Sequence, residues 1–351
     1  MQVICIGVSG NLAAQFPHLS TLSSQGIDKL PVDVEFVELD MSATRSGPAT
    51  WERVANEVFK AQLRAEAVIV AIDLIDLETP AATSFALGRD LSTTVIFVDS
   101  QTDMSFHSYD PTIDRALMIA LSKIRDVIVY LNGTNGYFYR ATAPTLDVGP
   151  AVSELVPGTL GPIGRIGARS RPGEATRVLR VDLSPNVKVP KRQAEFFSSF
   201  VEVAVVDIDP LDVAGAIDAV NALEGNRPEG VILHSSCLEG FSQADLRAVV
   251  VQALELDVPV LLAQTDTLDG TNPDDFDFDS QLLFFAEMTR ATATTKLSWA
   301  IGYARSKLCI PGGSFAGSLR LAMELDQVGE LEHGGQPNRL GDDIVASLSP
   351  G

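Results

Sequence analysis

Short runs of apolar, β-branched residues alternate along this chain with longer segments whose apolar positions return every three or four residues. The first run, Gln2 to Val8, reads as a buried strand cut off by Ser9, Gly10 and Asn11. Val34 to Leu39 predicts a second strand. Trp51, Val54, Ala55, Val58 and Phe59 then share one face of a helix, with Thr50 in position to cap it. Strands follow at Val68 to Ile72 and Thr94 to Val98. Asp110 and Pro111 suit the cap and first position of a helix whose apolar set is Ile113, Ala116, Leu117, Ala120, Leu121 and Ile124. Val127 to Leu131 follows as a strand and stops at Asn132-Gly133. Strands alternating with helices predict a mostly parallel sheet covered on both faces.

Between 134 and 195 the pattern loosens into glycine, proline and short strands. Ser184 to Arg192 is polar, basic and bounded by prolines, which reads as a linker. The predicted division is 1–183, a linker at 184–197, and 198–351. Alternation resumes with a strand at Val201 to Val206, a helix near 212–223 and a strand at Val231 to Leu233. Ser242-Gln243-Ala244-Asp245 has the form of a capping box ahead of a stripe made by Leu246, Val249, Val250, Ala253 and Leu254. Pro259 to Ala263 predicts another strand, and helices are expected near 291–305 and 317–326. The last dozen residues read as a loose tail, and no internal repeat is visible.

A length of 351 residues is comfortable for two α/β domains. A net charge of −20 repels phosphate backbones and anionic lipid, which argues against nucleic acid and membrane as partners. No apolar run approaches the ~20 residues that span a bilayer. The start lacks the basic stretch of a signal peptide, and Cys5, Cys237 and Cys309 have no disulfide spacing. Together these features predict a cytoplasmic protein with reduced thiols.

Three places carry candidate chemistry. Gly7, Gly10 and Ala13 fit a loose glycine fingerprint, and Asp40 stands where a ribose-binding acid belongs, so a nucleotide is one reading. No reductase apparatus accompanies it. The acidic stretch Asp274 to Ser280 lacks the glycine of a calcium loop and reads as a solvated loop, so no metal is expected. His18, His107, His234 and His333 show no ligand spacing. His234-Ser235-Ser236-Cys237 follows a buried strand, where a Cys–His nucleophile is weighed against a buried structural cysteine and the latter preferred.

The second half is similar to the C-terminal domain of the bacterial-type (type I and II) L-asparaginases. The similarity rests on Glu229 to Leu233, Val258 to Leu262, the "Gln-Thr…Gly" run Gln264 to Gly270, and Glu287 to Leu297, which resembles the family's D-M-T-x-E-A-A-x-x-K-L helix start. The first half follows in the same order. Trp51 sits like the tryptophan that starts the family's second helix, Asp110-Pro111 with Ala116 and Ala120 resembles D-G-P-x-N-L-x-x-A, and Ile128 to Gly133 resembles V-V-V-x-x-N. The resemblance implies an asparaginase-like α/β fold with a larger N-terminal α/β domain and a smaller flavodoxin-like C-terminal domain. It also implies a homo-oligomer, dimer or tetramer, because the family's active site lies between the N-terminal domain of one subunit and the C-terminal domain of its partner.

The family's catalytic residues do not follow. Those enzymes attack an amide with the threonine of T-G-G-T-I, assisted by a loop tyrosine, while the threonine of H-G-T-D-T works with a lysine as the base system. Here the first turn is Val8-Ser9-Gly10-Asn11-Leu12, so Asn11 takes the nucleophile's position, and Ala143 takes the lysine's. An amide cannot replace an activated hydroxyl. No threonine precedes Thr21 or falls between Thr50 and Thr79, no tyrosine precedes Tyr109, and no lysine falls between Lys123 and Lys188. Asp73 stands close to the aspartate that holds a substrate's α-amino group, with a helix-capping acid as the alternative. Ser42 or Ser46 matches the carboxylate-binding serine, and Ser9 is the only hydroxyl left in the first turn. The expectation is a pseudoenzyme: a non-hydrolytic binding or assembly protein for a small amino-acid-like ligand, using Ser9, Gly10, Asn11 and Asp73 and no cofactor. The alternatives are an amidohydrolase rebuilt around Ser9 or another loop, and a nucleotide-binding protein.

Overall fold

A computed structural model of the chain describes residues 2–8, 33–39, 47–72, 76–99, 111–121, 128–131, 136–142, 144–148, 153–157, 162–170, 177–183, 195–236, 238, 240–265, 282–308, 314–325, 327, 328 and 330. The chain divides into two compact units, Met1–Val189 with Glu195–Ser198, and Pro190–Ala194 with Ser199–Gly351.

In the first unit the strands are β1 Gln2–Gly7, β2 Asp33–Glu38, β3 Ala67–Ile72, β4 Thr94–Asp99, β5 Ile128–Leu131, β6 Tyr137–Arg140, β7 Pro144–Val148, β8 Ser153–Pro157, β9 Gly164–Ser170 and β10 Arg177–Leu183. Eight of them form one sheet in the order β10-β9-β6-β5-β4-β3-β1-β2, and β7 pairs with β8 apart from it. The five strands β2-β1-β3-β4-β5 are parallel, whereas β6, β9 and β10 add antiparallel. The central strands are apolar throughout because helices cover both faces; all six residues of β3 are buried. Edge strand β2 instead carries Asp33, Glu35 and Glu38, charges that discourage pairing with another chain.

Helix α1 spans Pro48–Gln62, α2 Glu78–Leu87 and α3 Pro111–Leu121. Thr50 is not the cap expected from the sequence. Pro48 takes the first helical position behind Gly47, which leaves Thr50 buried inside the first turn. Helix α2 has no counterpart in the sequence reading: every residue from Thr79 to Leu87 is buried, so no polar face marks a helical period. It is capped by Asp76, which accepts from the Thr79 amide (3.0 Å) and the Thr79 hydroxyl. Helix α3 begins at Pro111 as expected and buries Ala116, Leu117 and Ile119 against Val3, Ile69, Ile96 and Val129 of the sheet. At Gly136 the chain turns with φ +74, and a β-carbon there would lie 2.6 Å from the Ile166 carbonyl oxygen, so only glycine fits.

Residues 195–198 pack on the first unit. Phe196 stacks on Phe59 at 4.1 Å, and the Phe197 amide donates to the Ala86 carbonyl at 2.9 Å. Ser198 donates to Asn56 Oδ1 at 3.2 Å, and Arg89 pairs with Glu195.

The second unit holds a four-stranded parallel sheet in sequential order: β11 Ala204–Asp207, β12 Val231–Ser235, β13 Val260–Gln264 and β14 Leu283–Glu287. The expected strand at 201–206 starts three residues late, because Val201 exchanges both its backbone bonds with the Ser298 hydroxyl rather than with a strand. Four helices follow the sequence pattern: α4 Val213–Asn221, α5 Gln243–Leu254, α6 Arg290–Lys307 and α7 Phe315–Glu324. Each has an oxygen-bearing cap, namely Asp212, Ser242, Thr289 and Ser314. In the capping box the Asp245 amide donates to Ser242 Oγ (3.1 Å) and the Ser242 hydroxyl donates back to the Asp245 carboxylate (2.6 Å). One face of the sheet, Val206, Val231, Leu233, Val260 and Leu262, packs on Val220 of α4 and on Leu246, Val249 and Val250 of α5. Helix α6 packs against β12 and β13. The acidic stretch 274–280 and the tail beyond 330 lie outside the described residues.

Lys296 of α6 is wholly buried. Its ammonium donates to Glu330 Oε1 at 2.6 Å and to the Leu325 carbonyl at 3.1 Å. Glu330 in turn accepts from the Gln327 and Val328 amides at 3.1 and 2.8 Å. The lysine of the K-L motif therefore ties the chain after α7 onto α6.

Candidate functional site

In the first unit, strand β1 lies between β2 and β3. The chain leaves β1 toward one side and returns as β3 on the other. In open parallel sheets such a reversal, at the carboxyl ends of the strands, is the place where ligands are taken. Hydrogen bonds pin the end of β1: the Val8 amide donates to the Ala71 carbonyl at 3.0 Å, and the Leu39 amide donates to the Gly7 carbonyl at 2.8 Å. Ser9, Gly10 and Asn11 are the next residues after Val8, and Asp73 is the next after Ile72. These four candidates lie outside the described residues, as do Ala143, Asp40, Ser42 and Ser46. Asp76 is engaged as the α2 cap, so a carboxylate of this loop is already spent on structure. Cys5 sits deep in the same strand, and burial pushes its thiol up to about 12, which keeps it protonated and unreactive.

In the second unit a polar chain crosses the carboxyl edge of the sheet. Register places Asp207 of β11 beside His234 of β12, and Thr265 directly follows β13. His234 Nδ1 lies 3.2 Å from Asp207 Oδ1, and His234 Nε2 lies 3.0 Å from Thr265 Oγ1. The imidazole is largely buried, with 13% of its side chain exposed, while the Asp207 side chain is 64% exposed. Burial lowers the His234 pKa below its ordinary value; Asp207 pulls it upward through a hydrogen bond and its charge, and Arg290 pushes it down. The ring is thus neutral at physiological pH. With Asp207 accepting from Nδ1–H, the Nε2 lone pair faces the Thr265 hydroxyl. Arg290, at the start of α6, approaches Asp207 Oδ1 with Nε at 3.5 Å.

His234 was legible as a candidate because it ends a buried strand, but its partners were not. Asp207 and Thr265 stand 27 and 31 residues away in sequence, and only parallel register brings them to it. The signal available was positional: a histidine and a threonine at the ends of consecutive strands. Cys237, weighed as a nucleophile beside His234, lies outside the described residues. Among the described residues no cluster of three or more histidine, cysteine or acidic side chains is arranged to hold a metal ion. Nor is any helix there long and apolar enough to cross a membrane.

Neither a protein-family model nor a curated protein sequence matches the chain. Solved structures do. The thermostable L-asparaginase from Thermococcus kodakarensis superposes with a TM-score of 0.68 at 16% identity, covering 95% of this chain and 100% of that one. A probable cytoplasmic L-asparaginase from Campylobacter jejuni gives 0.65 at 14% identity, over 92% of this chain and 99% of the other. L-asparaginase I from Vibrio cholerae gives 0.63 at 16% identity, over 94% and 98%. The chain therefore has the fold of the bacterial-type L-asparaginases over nearly its whole length.

Proposed function

We propose that this chain, built on the asparaginase fold, does not run the asparaginase reaction but binds a small amino-acid-like ligand at the carboxyl ends of β1 and β3. The observation that supports the reading is the reversal of strand order at β1, between β2 and β3, together with a sequence that has no threonine directly after either β1 or β3. Backbone amides of a glycine-containing turn suit a carboxylate, and Asp73 suits an α-ammonium group. With Asn11 and Ala143 in the nucleophile and lysine positions, binding has no covalent step to follow. Removing a nucleophile and its base together leaves only the small residual rate that binding provides. The reading extends to two domains, 1–183 and 198–351, joined by 184–197, in a cytoplasmic dimer or tetramer that light scattering can weigh.

Calorimetric titration with L-asparagine, L-glutamine and L-aspartate tests the site. Wild-type protein should bind at least one of them, and Asp73→Ala should weaken that affinity tenfold or more. Absence of binding by the wild type at millimolar ligand, or equal affinity in the variant, would overturn the assignment.

A further inference from the structure

We propose that Thr265, His234 and Asp207 form a reactive centre separate from the ligand site near β1, a nucleophile–base–orienter relay that transfers acyl groups from small carboxylic esters to water. The three groups stand in the order such chemistry requires: hydroxyl 3.0 Å from Nε2, and Nδ1 3.2 Å from a carboxylate oxygen. They sit at the carboxyl edge of a parallel sheet, each delivered by its own strand or strand end, so the spacing is set by strand register rather than by a loop. Thr265 is half-buried rather than sealed, and its amide is anchored to the Ser235 carbonyl at 3.2 Å.

In the first step Thr265 Oγ1 bonds to the acyl carbon, the hydroxyl proton passes to His234 Nε2, and the bond to the leaving alkoxide breaks as that proton is returned to it. In the second step water attacks the threonyl ester, gives a proton to His234, and Thr265 leaves with that proton, releasing the acid. No oxidant, metal or cofactor enters the balance. Asp207 touches no substrate; it is a positioning residue that holds the ring with Nε2 toward the hydroxyl. A threonine oxygen carries a methyl beside it, which favours small, unhindered acyl groups. The inference does not rest on ligand binding near β1, and the two fail separately, because one is read at Asp73 and the other at Thr265.

The test uses the full chain with p-nitrophenyl acetate as substrate and a fluorophosphonate as covalent probe. Peptide mapping should place the phosphonate on Thr265 in the wild type. Ester turnover should fall about a hundredfold or more in Thr265→Ala and in His234→Gln, the scale of an acid–base contribution. Thr265→Ser should restore it, and the wild-type rate should rise with pH along a titration whose midpoint lies below the imidazole's ordinary 6.5. A wild-type protein that leaves Thr265 unlabelled overturns the proposal whatever the variants do. So does ester turnover that is the same in Thr265→Ala and His234→Gln as in wild type.

Discussion

At the residue scale the most informative side chain is His234, because its environment links packing to protonation. Burial holds its pKa below the ordinary 6.5, against the pull of Asp207. The unfolded chain, with the ordinary pKa, takes up a proton first as pH falls. The stability that the neutral ring contributes is therefore fully present above about 6.5 and is lost as pH drops through the lower folded value. Denaturant titrations between pH 7.5 and 5 should show this loss in the wild type, and His234→Gln should flatten that part of the profile. An unchanged profile in the variant would mean that other groups carry the pH dependence. The same residue marks a limit of sequence reading. A lone histidine at a strand end is visible in a sequence, but the carboxylate and hydroxyl on its two nitrogens come from neighbouring strands.

At the scale of elements, legibility followed amphipathicity. Helix α5 was announced by both its capping box and its stripe, and the structure buries Leu246, Val249, Val250 and Ala253 as that stripe requires. Helix α2 went unseen because burial from Thr79 to Leu87 erases the polar face that defines a period. Strand β14 has no legible period for a related reason: Leu283-Phe284-Phe285-Ala286 is a short continuous apolar run, which periodicity alone does not assign to a strand. Lys296 shows how a motif position can serve architecture, since its charge is fully buried and paired with Glu330. Lys296→Met leaves that carboxylate buried without its cation and should destabilise the second unit by about 3–5 kcal/mol in urea unfolding. Adding Glu330→Gln to it should recover part of the loss, because it removes the unpaired charge while the carboxamide oxygen keeps one of the two backbone bonds, from Gln327 or Val328. Equal stability of wild type and Lys296→Met would contradict a structural role for the pair.

At the scale of the molecule, an asparaginase fold spans nearly the whole chain at 14–16% identity to solved enzymes. A fold of this kind survives such divergence because its requirements are patterns: apolar strands, caps, and a sheet order that reverses at β1. Catalysis has no such tolerance, since it needs particular groups at particular atoms. The resemblance to that family puts Asn11 and Ala143 at its nucleophile and lysine positions, and the proposed loss of hydrolysis rests on that match. The measurement that bears most directly on this account is ammonia release from L-asparagine and L-glutamine at high protein concentration, with Ser9→Ala alongside. Neither protein should release ammonia above blank. Release that Ser9→Ala abolishes would contradict this and show an amidohydrolase rebuilt around a serine at the end of β1.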